Sequence, residues 1–201
     1  SSSSSGSGIF LRNTGTGVFE VTGEGTTASS GGIIQNSTGP GVLLENTSAR
    51  LGWMEIRDTR DAGILGSATP DLTLTGVSVL RAGDEVGELG IDLVDVSGTL
   101  VFDQVTVDDA ADDGVQIVQS SVDGASFVVS NSTFSNSGRL DAGTGFRLWV
   151  QGILNASADF ANTDFTDNGY PLLSEAGLEV YGPATGGTLD VAVNGGTSHG
   201  Q

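Results

Sequence analysis

The chain has 201 residues and no cysteine, and its seven basic residues, all arginine, face 17 aspartates and eight glutamates for a formal net charge of -18. Such a surface argues against nucleic acid and an anionic membrane as partners, and the absent thiols rule out a disulfide framework and thiolate catalysis. The 32 glycines lack a Gly-x-y period, which excludes collagen, and no apolar run approaches the length needed to insert across a bilayer.

From the N-terminus, Ser1 to Ser7 reads as a linker or the exposed end of a fragment, and residues 8–201 read as one domain. Gly8 to Asn13 and Gly17 to Thr22 are predicted strands, followed by an enlarged turn, Gly23 to Gly32, before Ile33 and Ile34. The next units run from Gly41 to Ala62 and from Gly63 to Leu89, the latter with Pro70 placed at a corner. Gly90 to Gly114 then carries three short runs whose inward residues alternate: Ile91 and Leu93, Leu100 and Phe102, Val105 and Val107. That period of two is strand chemistry. Two units with longer connections follow, Gly114 to Thr144 and Gly145 to Ala176, and another begins at Gly177.

The units share one internal frame, apolar-x-apolar-x-x-apolar-x-apolar. Leu100, Phe102, Val105 and Val107 shift back by 28 onto Leu72, Leu74, Val77 and Val79, and by a further 23 onto Ala49, Leu51, Met54 and Ile56. Forward shifts of 27 and then 31 meet Phe127, Val129, Ser132 and Phe134, then Ala158, Phe160, Thr163 and Phe165. A last version starts at Leu189 and Val191 and degrades at Asn194 and Gly196. A glycine with an apolar follower opens every unit, at Gly8, Gly41, Gly63, Gly90, Gly114, Gly145 and Gly177. The frame predicts a solenoid of three-strand coils, about six of them with a seventh begun, whose connections vary in length.

The stretches Ser30-Gly31-Gly32-Ile33-Ile34-Gln35-Asn36, Gly41-Val42-Leu43-Leu44-Glu45-Asn46-Thr47 and Phe165-Thr166-Asp167-Asn168-Gly169 resemble coils of right-handed parallel β-helix proteins, especially bacterial surface proteins and autotransporter passengers. The resemblance implies an all-β, right-handed, three-faced parallel β-helix, secretion, and an extracellular adhesive or structural role at the cell surface. Extracellular glycans or matrix proteins are the partners it implies. Pectate and pectin lyases share the architecture, so a polysaccharide-binding module or a lyase stands as the alternative. Neither end offers a capping helix, and the expectation is a segment of a longer solenoid.

Four groups of residues carry candidate chemistry. No cofactor is required, but Asp108, Asp109, Asp112 and Asp113 sit between strands where carboxylates could converge on calcium; the alternative is a water-covered acidic edge. Asp58 with Asp61, and Asp84 with Glu85, occupy the corresponding turns of earlier units. His199 has no histidine or cysteine partner and reads as a surface residue. A lyase would need a charge-neutralising cation and a base, for which Arg147, Glu179, Asp92 and Gln116 are the loose candidates, with structural pairing as the competing account. Gln104, Asn131 and Asn162, in line with Trp53 and Gly76, fill the constant two-residue interval and predict an internal polar ladder.

The last group follows from strand parity. In Phe146-Arg147-Leu148-Trp149 and Leu178-Glu179-Val180-Tyr181 the apolar pairs point inward. Arg147 then faces Glu179, and Trp149 faces Tyr181, roughly 5 Å apart along the solenoid. Such a patch could stack on a sugar and bond its hydroxyls. The competing account folds the connections Gly152 to Ser157 or Gly182 to Thr188 over the aromatics as a packing cluster.

Overall fold

The computed structural model describes residues 6–152, 154–169, 176–183 and 186–199. Three strands recur in order: β1 (Ile9–Arg12), β2 (Val18–Val21), β3 (Gly32–Gln35); β4 (Val42–Glu45), β5 (Ser48–Gly52), β6 (Met54–Arg57); β7 (Ile64–Ser67), β8 (Leu72–Thr75), β9 (Ser78–Leu80). They continue as β10 (Ile91–Val94), β11 (Thr99–Asp103), β12 (Thr106–Asp108); β13 (Val115–Gln119), β14 (Ala125–Ser130), β15 (Thr133–Ser135). The last two sets are β16 (Phe146–Val150), β17 (Ala156–Ala161), β18 (Asp164–Thr166), and β19 (Leu178–Tyr181), β20 (Leu189–Asn194), β21 (Ser198–His199). Every third strand pairs in parallel, giving three seven-stranded sheets led by β1, β2 and β3. The architecture is a three-faced parallel β-helix of seven coils, so the seventh coil is complete.

The predicted register is the observed one through coil six. Leu100 pairs with Leu72 and Phe127, and Phe102 with Leu74 and Val129. Phe127 in turn pairs with Ala158. In coil seven, however, Ala158 pairs with Val191 and Phe160 with Val193, two residues later than the frame begun at Leu189. A slip of two keeps every side chain on its face, so alternation alone does not report it.

The interior is apolar and ring-rich. Phe102, Phe127, Phe134, Phe146 and Phe160 are fully buried. Phe146 lies edge-on to Phe134 and Phe160 at centroid distances of 5.3 and 5.1 Å, and Phe134 stacks on Phe165 at 5.6 Å. Leu178 and Val180 of the last coil pack against this core but are only partly covered.

The opening glycine of each coil is a steric requirement. Gly41, Gly63, Gly90, Gly114, Gly145 and Gly177 offer their carbonyls to the N–H that follows the glycine one coil earlier, as in Ile64 to Gly90 at 3.0 Å. A Cβ on Gly63 would lie 2.7 Å from the Gly90 oxygen and closer still to Val79. Only glycine lets the backbones approach this closely.

Three corners turn the coil, and each is built from left-handed residues. Asn13, Asn46, Ala68 and Asp95 hold φ between 49 and 56° after strands of the first sheet. Asn36, Asp58, Arg81, Asp109, Asn136 and Asp167 hold φ between 52 and 59° after strands of the third sheet. Between second and third sheets the position passes through Gly23, Trp53, Gly76, Gln104, Asn131, Asn162 and Gly195. Asparagine and aspartate tolerate this conformation best among residues with a Cβ.

Candidate functional site

On the outward face of the first sheet, register lines up two rows. One is Asp92, Gln116, Arg147 and Glu179, and the other is Val94, Val118, Trp149 and Tyr181. Strict alternation puts Phe146, Leu148 and Val150 inside and leaves Arg147 and Trp149 outside. Trp149 and Tyr181 are 45% and 49% exposed, with ring centroids 6.2 Å apart and planes tilted by 57°. Gln116, Arg147, Trp149 and Tyr181 line a shallow cleft of about 310 Å³. The rings remain open to solvent; of the connections expected to fold over them, residues 153, 184 and 185 lie outside the described residues.

Arg147 lines this cleft, and each of its three nitrogens makes one hydrogen bond, which leaves two of its five N–H donors uncommitted among the described residues. Its Nε donates to Glu179 Oε2 at 2.9 Å, Nη1 to Asp113 Oδ2 at 2.5 Å, and Nη2 to Thr144 Oγ1 at 3.0 Å. Tyr181 Oη donates to the same Glu179 oxygen at 3.3 Å. Asp113 is 1% exposed, and its Oδ1 accepts the Thr144 N–H at 2.7 Å. Burial pushes the Asp113 carboxyl up to about 6, against the opposing pull of the Thr144 N–H and the Arg147 charge. Burial works to lower Arg147, but the Glu179 bond and the charges of Asp113 and Glu179 hold it above its ordinary value. Asp92 is also raised by burial, with Gln116 opposing the effect and Asp61 adding to it, and its Oδ1 is buried without a hydrogen-bond partner among the described residues.

The acidic run does not gather into a metal site. Asp108 ends β12 facing outward and accepts from Ser135 Oγ at 2.8 Å and Asn136 Nδ2 at 2.7 Å. Asp109 occupies a left-handed corner and pairs with Arg139 at 3.3 Å. Asp112 is half-buried beyond the covered Ala110 and Ala111, and Asp113 is turned toward Arg147. The run crosses a corner, which spreads its four carboxylates in different directions. Among the described residues no three acidic, histidine or cysteine side chains come together to hold an ion. The earlier turns are likewise committed, Asp58 to Arg81 at 2.7 Å and Asp84 to Arg60 at 3.7 Å.

The amide ladder stacks, but on the outside. Asn131 Nδ2 donates to Asp103 Oδ1 at 2.9 Å, Asn162 Nδ2 reaches Asn131 Oδ1 at 3.5 Å, and Gln104 Nε2 bonds Asp103 at 3.3 Å. Gln104, Asn131 and Asn162 are all exposed, which corrects the internal placement. Their left-handed backbone at the corner turns the side chain away from the coil.

Two buried amides escaped the sequence reading. Gln119 accepts the Val96 N–H and donates to the Val96 carbonyl, both at 2.7 Å, so it stands in for a missing strand neighbour. Asn168 accepts from Ser137 N at 3.1 Å and donates to the Phe134 carbonyl at 3.0 Å. For Gln119 the usable signal was parity, because it continues the inward series of Val115 and Ile117 and pairs with the buried Val150; for Asn168, which lies beyond the end of β18, the pattern carried none.

A family model described as "right handed beta helix region" matches residues 2–182. No curated protein and no solved structure matches the chain.

Proposed function

The chain belongs to the right-handed β-helix family, and on that premise we propose that it is an extracellular adhesive module which binds a glycan on the outer face of its first sheet, in coils six and seven. The observation that carries this reading is the exposed Trp149 and Tyr181 pair, set beside the hydrogen-bonding groups of Gln116, Arg147 and Glu179 around one cleft. An exposed tryptophan and tyrosine are apolar area held in water, and a sugar ring's C–H face covers such area while its hydroxyls bond the polar row.

The charge pattern favours a neutral sugar. Arg147 stands between Asp113 and Glu179, with Asp92 further along the row, so one cation is outnumbered locally by carboxylates. A uronate arriving there would meet net repulsion. The same pairing weakens the lyase alternative, because the guanidinium that would neutralise a substrate carboxylate already serves two carboxylates of its own.

A glycan array followed by calorimetric titration tests the reading. The wild-type chain should bind neutral oligosaccharides, and Trp149→Ala should lose at least about tenfold in affinity, equivalent to about 1.4 kcal/mol. Undiminished binding by that variant removes Trp149 from the site. A chain that binds no glycan and no matrix protein is a structural spacer.

A further inference from the structure

Four of the nine asparagines open an Asn-x-Ser/Thr triplet: Asn36-Ser37-Thr38, Asn46-Thr47-Ser48, Asn131-Ser132-Thr133 and Asn155-Ala156-Ser157. No proline occupies a middle position, so each is a chemically competent acceptor sequence for N-linked sugar. A motif this short also arises by chance in a chain rich in serine and threonine. The fold supplies what the motif lacks: all four asparagines are exposed, whereas the buried Asn168 is followed two residues on by Tyr170 and has no triplet.

Their positions are corners. Asn36, Asn46 and Asn131 are left-handed, with φ of 56, 49 and 51°, which turns each amide away from the coil. Asn155 lies in the connection that precedes β17. Asn46 and Asn155 mark the edge between first and second sheets, Asn131 the edge between second and third, and Asn36 the edge between third and first. Each edge of the triangular coil thus carries at least one acceptor, and none stands on a sheet face.

We propose that Asn36, together with Asn46, Asn131 and Asn155, is an attachment site for N-linked oligosaccharide. In the transfer, the amide Nδ2 forms a bond to the anomeric carbon of an oligosaccharide carried on a polyprenyl phosphate or diphosphate. The bond from that carbon to the phosphate oxygen breaks, the lipid phosphate leaves with the electron pair, and one amide proton is released. One N–H remains on Nδ2. It suffices for the bond from Asn46 to Asn13 at 3.0 Å, from Asn131 to Asp103 at 2.9 Å, and from Asn155 to Asp123 at 3.0 Å. The Asn36 side-chain amide has no hydrogen-bond partner among the described residues, while its backbone N–H keeps its bond to the Arg57 carbonyl at 3.3 Å, so its modification costs no contact of the fold. The four sites therefore accept sugar without dismantling a corner.

The test is mass spectrometry of the protein recovered from its own source cells, intact and as proteolytic peptides. The Asn36 peptide should carry an added glycan mass that is lost in Thr38→Ala and kept in Thr38→Ser, since the hydroxyl two residues on is what the triplet demands. Asn36→Gln should remove the same mass. An unmodified Asn36 in the native protein overturns the proposal, and so does a mass that persists in Thr38→Ala.

Discussion

Coil four and coil seven obey the same register and differ in how many described strands flank them, coil four being paired on both sides and coil seven on one. Leu100 and Phe102 of coil four are fully buried between coils three and five, whereas Val191 and Val193, which continue the same inward columns, are 42% and 56% exposed. Inwardness is a property of strand parity, but burial is supplied by neighbours on both sides. In a solenoid, stability is the sum of each coil and its interfaces, so equivalent substitutions should cost most in the middle and least at the end.

The largest effect expected is in the glycine column. Gly63→Ala would drive a Cβ into the Gly90 carbonyl and Val79 and should destabilise by about 4 kcal/mol or more, enough to unfold the central coils. At Gly177 the nearest atoms to the added Cβ among the described residues belong to the Phe165 and Ser198 side chains and not to backbone, and the cost should be about 1 to 3 kcal/mol. Urea titration followed by far-ultraviolet circular dichroism measures both. Equal costs would mean that backbone approach is not what holds the column to glycine.

The ring cluster comes next. Phe146→Ala removes a side chain in contact with Phe102, Phe134 and Phe160 and should cost about 3 to 5 kcal/mol. Val193→Ala, on the half-open end, should cost less than about 1 kcal/mol because its methyls are largely in water already. A loss at Val193 as large as at Phe146 would require something to cover the last coil in solution.

This contrast also marks what the sequence could reveal. The glycine openings and the frame from Ala49 through Phe165 are legible because alternation has only two phases, and a wrong phase would put Phe102 or Phe127 in water. The two-residue slip in coil seven keeps phase and was illegible for that reason. The Arg147–Glu179 and Trp149–Tyr181 neighbours followed from the same parity. Asp113 as the second partner of Arg147 did not, because it sits in a turn, where parity says nothing about direction. The ladder's order was readable, but its outward aim depends on a positive φ, which Asn131 and Asn162 permit without requiring and Gln104 does not signal.

A third test uses pH and sets the buried carboxylate against those at the surface. Asp113 has its folded value raised to about 6, so between the ordinary carboxylate range and about 6 the folded chain binds a proton that the unfolded chain does not. Stability then falls as pH rises through that window and recovers on acidification. Asp58, Asp95 and Asp103 shift downward: the Arg81 bond lowers Asp58, Ser120 and Ser121 outweigh burial at Asp95, and Asn131 with Ser130 lowers Asp103. Their contributions are present above the ordinary carboxylate range and vanish as pH drops below it. The melting temperature should therefore rise from pH 7 to about pH 5 and fall again below about pH 4. Asp113→Asn should make the upper limb shallower, the remainder coming from Asp92, Asp109 and Asp112, which burial also raises, and leave the acid limb in place. An unchanged upper limb would assign it to other groups.

The smallest effect belongs to the corner ladder, which begins and ends in glycine, at Gly23 and Gly195, and carries Gln104, Asn131 and Asn162 between. At Asn131 two contributions can be separated: the bond to Asp103 and the tolerance of asparagine for φ of 51°. Asn131→Ala loses both and should cost about 1 kcal/mol, because the amide is exposed and its bond exchanges with water while alanine resists the left-handed turn. Asn131→Gly loses the bond but accepts the conformation, so it should fall within about 0.5 kcal/mol of wild type despite glycine's looser unfolded chain. Thermal melts of the pair decide between backbone and side chain. If glycine proves as costly as alanine, the stacked amides and not the turn hold this corner, and the glycines at either end of the ladder are then its weak points.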